Sequence, residues 1–191
     1  MTKLTVLILA CMMLSGAVNA QTLSWSDPTG AFKFQIPNGW GQVSGAELGP
    51  EIKSTPILHV GPKEAGSDSG CSIYRLDHSA PGEVTQRMAN SVIRDWDREY
   101  VAQQTRELGN LILGNVVFSN LPRDGVQVVS FAHDSEWKGS QIRYSQKQFM
   151  LATGGTSASF YTVGCSVLTS KADQDTKRAN AFLSSLKFLK K

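Results

Sequence analysis

The chain has few cysteines and only one long apolar run. Three cysteines occur in 191 residues, and Cys11 lies inside that run, which leaves Cys71 and Cys165 for the rest of the chain. The run, residues 4–14, has the length of a signal-peptide core and is too short to cross a bilayer as a helix. No transmembrane segment is therefore expected after residue 20.

Neither sign of charge dominates the chain. Without Lys3 it has 18 basic and 16 acidic residues, a net charge of +2, and its lysines and arginines are spread along the sequence without forming a stripe. A nucleic-acid-binding protein concentrates basic residues on one surface. We therefore expect no nucleic-acid partner.

The common catalytic motifs are missing too. The sequence contains no His-Glu-x-x-His, no Gly-x-Ser-x-Gly, no P-loop and no dinucleotide-binding glycine fingerprint. These absences exclude the enzyme classes that the motifs define, and we expect no cofactor and no bound metal. They leave open a site assembled from residues that are distant in sequence.

The N-terminus is typical of an exported protein. Lys3 precedes the apolar run, and Val18 and Ala20 stand at positions −3 and −1 of a signal-peptidase site before Gln21. This predicts a signal peptide over residues 1–20, one domain over residues 21–191, and a periplasmic or secreted location. A lipoprotein site at Cys11 is the alternative, but that cysteine has apolar residues on both sides.

Two cysteines in an exported chain are most simply one disulfide. A bond between Cys71 and Cys165 would close a loop of about 95 residues, which stabilises the fold by about 4–5 kcal/mol at most in the chain-entropy model. Two buried free thiols are the alternative. A catalytic or metal-binding pair is disfavoured because neither cysteine has Cys-x-x-Cys spacing.

The secondary structure predicted from periodicity is mixed. Residues 31–36 alternate strictly between apolar and polar side chains, which indicates a strand buried on one face. One long helix is expected from Ser79 to Leu108, with an apolar stripe that recurs every four residues at Val84, Met88, Val92, Trp96 and Tyr100 and is joined by Ala89 and Ile93. Later strands are joined by short turns, one of them over residues 134–139, so they pair antiparallel.

The last predicted element is a helix whose buried stripe is Ala179, Phe182, Leu183 and Leu186. Early strands, a long helix, a meander of strands and a closing helix together predict an α+β fold. In this fold an antiparallel β-sheet is flanked by helices, as in an α/β/α sandwich.

One stretch carries a family resemblance. Trp25-Ser26-Asp27, followed by Gly30-x-Phe32-x-Phe34-x-Ile36-Pro37-x-Gly39-Trp40, resembles the opening of the PsbP-like fold family. That family includes the extrinsic photosystem II protein, a small-GTPase-binding nuclear import factor and many exported bacterial proteins. The resemblance implies an antiparallel sheet between helical layers and no particular function, and no contact residue of the family can be aligned here.

Candidate site residues are few. Trp25, Trp40 and Trp96 are expected in the core because they adjoin apolar patterns, and His59 and His78 are expected to make local packing or turn contacts. Trp137 lies among charged residues in a predicted turn, and Trp is enriched at binding hot spots. The tentative binding set is Trp137 with His133, Glu136 and Lys138.

The leading hypothesis is an exported, non-catalytic binding or accessory module of the cell envelope, with an envelope protein as a candidate partner. Two alternatives stay open. One is a hydrolase that uses His78 or His133 with a carboxylate, although His133 and Asp134 point to opposite faces of a strand. The other is a protein that binds a small ligand between the sheet and a helix.

Overall fold

The structure is a computed structural model, and it describes residues 23–43, 56–63, 69–107, 111–137 and 139–189. The predicted signal peptide and Lys138 lie outside the described residues. Within them, no helix is long and apolar enough to cross a membrane.

A seven-stranded sheet, antiparallel throughout, forms the centre of the molecule. Its strand order is β3-β4-β5-β9-β8-β7-β6. The strands are β3 (Trp40–Gln42), β4 (Leu58–Pro62), β5 (Gly70–Ser79), β6 (Leu113–Arg123), β7 (Val126–Trp137), β8 (Ser140–Gly154) and β9 (Ser157–Leu168).

A small antiparallel sheet packs over one face of the large one. It consists of β1 (Leu23–Ser26), β2 (Phe32–Ile36) and β10 (Lys187–Phe188), with β2 in the middle. The predicted alternation in β2 is confirmed, because Phe32, Phe34 and Ile36 are buried while the residues between them are exposed.

Within the described ranges, three α-helices complete the fold: α1 (Gln86–Arg94), α2 (Arg98–Glu107) and α3 (Ala172–Ser184). The prediction of one helix from Ser79 to Leu108 is wrong at its start and in its middle. Ser79 is the last residue of β5, and Thr85 caps α1 by accepting a hydrogen bond from the Met88 amide. The helix is then interrupted. A second helix, α2, starts where the Asp97 carboxylate accepts a hydrogen bond from the Tyr100 amide.

The predicted apolar stripe of the long helix is correct only in part. Ala89 and Ile93 of α1 are buried, at 1% and 0% exposed, whereas Met88 and Val92 are 50% and 53% exposed. The inward side of α1 is therefore centred on Ala89 and Ile93. Trp40 lies in the core as expected, while Trp25 and Trp96 pack against it only partly buried.

The helices lie on both faces of the large sheet. Neighbouring residues of β8 show this, because side chains alternate along a strand. Phe149 packs against Phe32 and Tyr161 on the side of α3 and the small sheet, while Met150 packs with Ala89 of α1 on the opposite side. The predicted α+β fold, an antiparallel sheet flanked by helices, is confirmed.

The hairpin between β7 and β8 is longer than predicted. Residues 134–137, expected in a turn, continue β7, and Trp137 pairs with Ser140. The preceding hairpin, between β6 and β7, turns on two residues, Asp124 and Gly125, whose φ angles of 51° and 83° fit a type I′ turn.

The predicted disulfide is present. Cys71 of β5 and Cys165 of β9 lie directly opposite each other, with their Cα atoms 4.0 Å apart. Both side chains are buried in the largest apolar cluster, so the bond joins two central strands inside the core.

Candidate functional site

The candidate site is a groove between α3 and strands β6, β7 and β8, which we name the α3 groove. Its volume is about 550 Å³. The lining residues come from four regular elements and from the turn that precedes α3: Val117, Ala132, Asp134, Arg143, Ser145, Thr169, Thr176, Lys177 and Asn180.

Small side chains form the floor of the groove. Val117, Ala132 and Ser145 are cross-strand neighbours on β6, β7 and β8. Two residues away along these strands, on the same face, the next row of neighbours is Ser119, Ser130 and Lys147. Because serine and alanine reach only a short way above the sheet, a shallow channel remains between β6 and α3.

A charged pair lies at one end of the groove. Arg143 of β8 and Asp134 of β7 are cross-strand partners, and Arg143 Nη1 donates to Asp134 Oδ1 at 2.9 Å. Their side chains are 34% and 42% exposed, so the pair contributes little to stability. Among the described residues, Asp134 is the only side chain to which the Arg143 guanidinium donates a hydrogen bond.

A half-buried lysine lies further along the same strand. Lys147 Nζ donates to Ser130 Oγ at 3.0 Å, across a directly opposed pair of β7 and β8. Burial lowers the pKa of the Lys147 ammonium, and the charge of Arg123 lowers this pKa further. No carboxylate of the described residues forms an ion pair with Lys147.

A serine in contact with a lysine of lowered pKa is one way to build a nucleophile. Such a site also needs amide donors for the oxyanion. The two-residue turn at Asp124–Gly125 sets the register of β6 and β7 so that the backbone of Ser130 bonds to Ser119. Its amide is therefore occupied and is not available to an oxyanion.

Comparisons with known proteins address the fold. LpqN of Mycobacterium tuberculosis, described as involved in cell envelope biogenesis, superposes with a TM-score of 0.50 at 12% identity, over 91% of this chain and 88% of that chain. Cyanobacterial PsbP (CyanoP) of Synechocystis sp. PCC 6803 superposes with a TM-score of 0.49 at 14% identity, over 91% and 96%. The chain has a PsbP-like fold.

The predicted resemblance is thereby confirmed at the level of the fold. No family model matches the sequence, and no curated protein matches it either. At these identities the likeness shows the fold alone, so no ligand, partner or activity passes to this chain from either protein.

The structure does not bring Glu136 and His133 of the tentative binding set together. Glu136 is exposed and lies two residues beyond Asp134 on the same face of β7, at the mouth of the α3 groove. Trp137 is the last residue of β7, and Lys138 lies outside the described residues. A binding role for this hairpin tip stays a prediction.

His133 lies on the opposite face of β7 and is fully buried. Its ring packs against Phe131 and Tyr144, with centroids 5.3 and 5.5 Å away. Nδ1 donates to the Asp134 carbonyl at 3.0 Å, and burial lowers the pKa of the imidazole. His133 therefore supports the strand behind the groove without lining it.

Among the described residues, no hydrogen bond or ion pair joins His78 or His133 to a carboxylate. Asp134 bonds to Arg143 on the groove side, away from His133. His78 is exposed, and the carboxylate of the neighbouring Asp77 is taken by Arg75 and Ser159. Among the described residues, no three metal-binding side chains come together.

Sequence reasoning missed Arg143 and Lys147. Both lie in a predicted strand, and no motif marks them. Their spacing was the available signal, because residues four apart in a strand lie on one face. Only the placement of α3 shows that this face is partly covered and not simply solvent-exposed.

Proposed function

We propose that the protein is an exported, non-catalytic binding module of the cell envelope and that the α3 groove holds its ligand. The observation that carries this proposal is a pair of partly buried cations on one face of β8: Arg143, which lines the groove, and Lys147, two residues beyond the lining residue Ser145. Charged groups with unused hydrogen-bonding capacity in a concave site are typical of ligand recognition.

Export is supported by the signal-like N-terminus and by the Cys71–Cys165 disulfide, since disulfides persist in oxidising compartments. The description of LpqN, a protein of similar fold, agrees with a role in the envelope. We place the protein in the periplasm or outside the cell.

The hairpin tip belongs to the same proposal. Glu136 is exposed on the groove side of β7, and we propose that it contacts, together with Trp137 and Lys138, the part of a ligand that extends beyond the groove. The groove also lies between the sheet and a helix, which is where the small-ligand hypothesis places its site.

Hydrogen exchange measured by mass spectrometry tests the proposal. The purified exported protein is incubated with fractions of a native envelope extract. We expect at least one fraction to slow exchange in β8 and α3 around the groove, where amide opening is suppressed by a bound ligand.

Two tryptophan substitutions provide a matched pair. Thr176→Trp places a large ring in the groove and should abolish the protection. Gln174→Trp adds the same ring to an exposed position of α3 that does not line the groove, and should leave the protection intact. If no fraction protects these segments, or if both variants behave like the wild type, the groove is not the binding site.

A further inference from the structure

The charges around the α3 groove are unbalanced. Two cations line it, Arg143 of β8 and Lys177 of α3, and two more lie on the same face of the sheet beyond the lining residues, Lys147 of β8 and Arg123 of β6. Among the described side chains that line it, Asp134 is the one acid, with Glu136 at the mouth. The groove therefore has a surplus of positive charge, which attracts anionic ligands.

Two of these cations, Arg143 and Lys147, have unused N–H hydrogen-bond donors. Arg143 uses one guanidinium nitrogen on Asp134, while a guanidinium offers five N–H donors. Lys147 has the neutral Ser130 hydroxyl as its side-chain partner, although the ammonium is half-buried. A buried charge is stabilised by an opposite charge, so a carboxylate delivered by a ligand would complete both sites.

The spacing of the two cations suits an extended chain. Arg143 and Lys147 are four residues apart on one face of β8, so their Cα atoms lie about 13–14 Å apart. A single small anion cannot reach both. Two acidic side chains four residues apart on an extended peptide have the same spacing.

The shape of the groove agrees with a peptide. On the edge strand β6, the lining residue Val117 and Leu121 beyond it present exposed apolar side chains, which are 59% and 66% exposed. These two are also four residues apart. No aromatic ring on which a sugar could stack occurs among the described lining residues, which favours a peptide over an acidic glycan.

We propose that the α3 groove binds an extended acidic peptide segment of a partner protein, with one carboxylate on Arg143 and another on Lys147. The proposal rests on the proposed function, because it takes the groove as the binding site and names its ligand. Apolar side chains of the segment would contact Val117 and Leu121 at the rim.

Isothermal titration with a blocked nine-residue peptide tests this. The probe carries glutamate at positions 3 and 7, valine at position 5, and threonine elsewhere. We expect it to bind at least about tenfold more tightly than the same peptide with glutamine for both glutamates, and to lose affinity as salt screens the charges. A peptide with glutamates at positions 4 and 6 should bind more weakly than the probe.

Variants locate the contact. Lys147→Gln and Arg143→Gln should each weaken binding of the probe about tenfold or more, while Lys33→Gln, which removes an exposed lysine of β2, should not. Val117→Glu places a repulsive charge on the exposed rim and should also weaken binding, with no change in the melting temperature. If Lys147→Gln or Arg143→Gln fails to fold, Val117→Glu still tests the proposal.

Three results would overturn the inference. They are equal affinity for the glutamate and glutamine peptides, unchanged affinity in the groove variants, and binding of inorganic phosphate or an oligogalacturonate as tight as that of the probe. If envelope fractions protect the groove from exchange while the probe does not bind, the proposed function stands and the acidic peptide is wrong. If neither binds, both fail.

Discussion

The sheet face beneath α3 has an aromatic half and a charged half. In the aromatic half, Phe32 lies 5.1 Å from Phe149 and 4.9 Å from Tyr161 between ring centroids, and Phe34 stacks on Phe182 at 4.6 Å. In the charged half, the same strands carry Arg143 and serine side chains. Because dense apolar packing on one side supplies stability, the other side is free to keep poorly compensated charges.

One helix serves both halves. Ala179, Phe182 and Leu183 of α3 are buried against the aromatic side. Thr176, Lys177 and Asn180 of the same helix line the groove. With 3.6 residues per turn, a single helix presents an apolar stripe and a polar stripe to two neighbouring regions of one sheet. The boundary between core and candidate site therefore runs along α3.

The largest effect is expected in the aromatic half. Phe149→Ala removes a ring that is fully buried among Phe32, Tyr161 and Phe188. The free energy of unfolding should fall by about 3–5 kcal/mol, because a cavity is left behind. Urea denaturation measures this loss. A loss below about 1 kcal/mol would show that the aromatic half is not the main source of stability.

Removal of the disulfide, which lies in the same half, should cause the second-largest loss of unfolding free energy. The double variant Cys71→Ser with Cys165→Ser removes a bond that closes a loop across 94 positions. We expect a loss of about 2–4 kcal/mol, since the unfolded chain regains conformational freedom. Below its lower melting temperature, the variant should bind groove ligands like the wild type. Impaired binding with an intact fold would contradict the separation of the two halves.

His133 provides a test directly behind the groove. Burial lowers the pKa of this imidazole in the folded protein below its ordinary value of 6.5, so the unfolded chain takes up a proton first as pH falls. Its contribution is complete above pH 6.5 and is lost at lower pH. The loss amounts to about 1.4 kcal/mol per pH unit at most.

His133→Gln should flatten the fall in unfolding free energy between pH 6.5 and 5.5, measured by urea denaturation. His59, whose pKa is also lowered by burial, remains to contribute a slope of its own. Groove binding at pH 7.5 should be unchanged. Identical pH profiles for variant and wild type would show that His133 is not held neutral.

The smallest stability effect is expected in the charged half. Lys147→Met removes a half-buried ammonium whose side-chain partner is a neutral hydroxyl. Replacement of a poorly compensated charge by an apolar side chain should leave the unfolding free energy unchanged within about 1 kcal/mol, or raise it. The same variant should lose affinity for the acidic probe. A large loss of stability would instead assign Lys147 to the core.

Local patterns predicted the aromatic half well. The alternation of Phe32, Phe34 and Ile36 required a one-sided strand, and the apolar stripe of α3 required a buried helix side. The two cysteines outside the N-terminal apolar run left one intramolecular pairing, which the structure contains. In each case a short periodicity or a simple count was sufficient, because burial of apolar side chains is decided by spacing.

The same reasoning failed for α1 and α2. A spacing of four residues drifts around a helix, and the drift leaves the inward side ambiguous between Met88 and Val92 on one hand and Ala89 and Ile93 on the other. In the structure the smaller residue, Ala89, faces the sheet and packs beside Met150. The break at Asp97 depends on a local cap that competes with helix continuation.

The sequence by itself determined the α+β fold, the resemblance to PsbP-like proteins, the disulfide partners and the signal-like N-terminus. These follow from local periodicity, composition and counts. Only the tertiary structure decided that Arg143 lines a groove with α3, that Lys147 lies next to it on the same face of β8, and that His133 lies behind it. The physical reason is distance along the chain, because β8 and α3 are separated by the whole of β9 and are brought together by packing that no local pattern encodes.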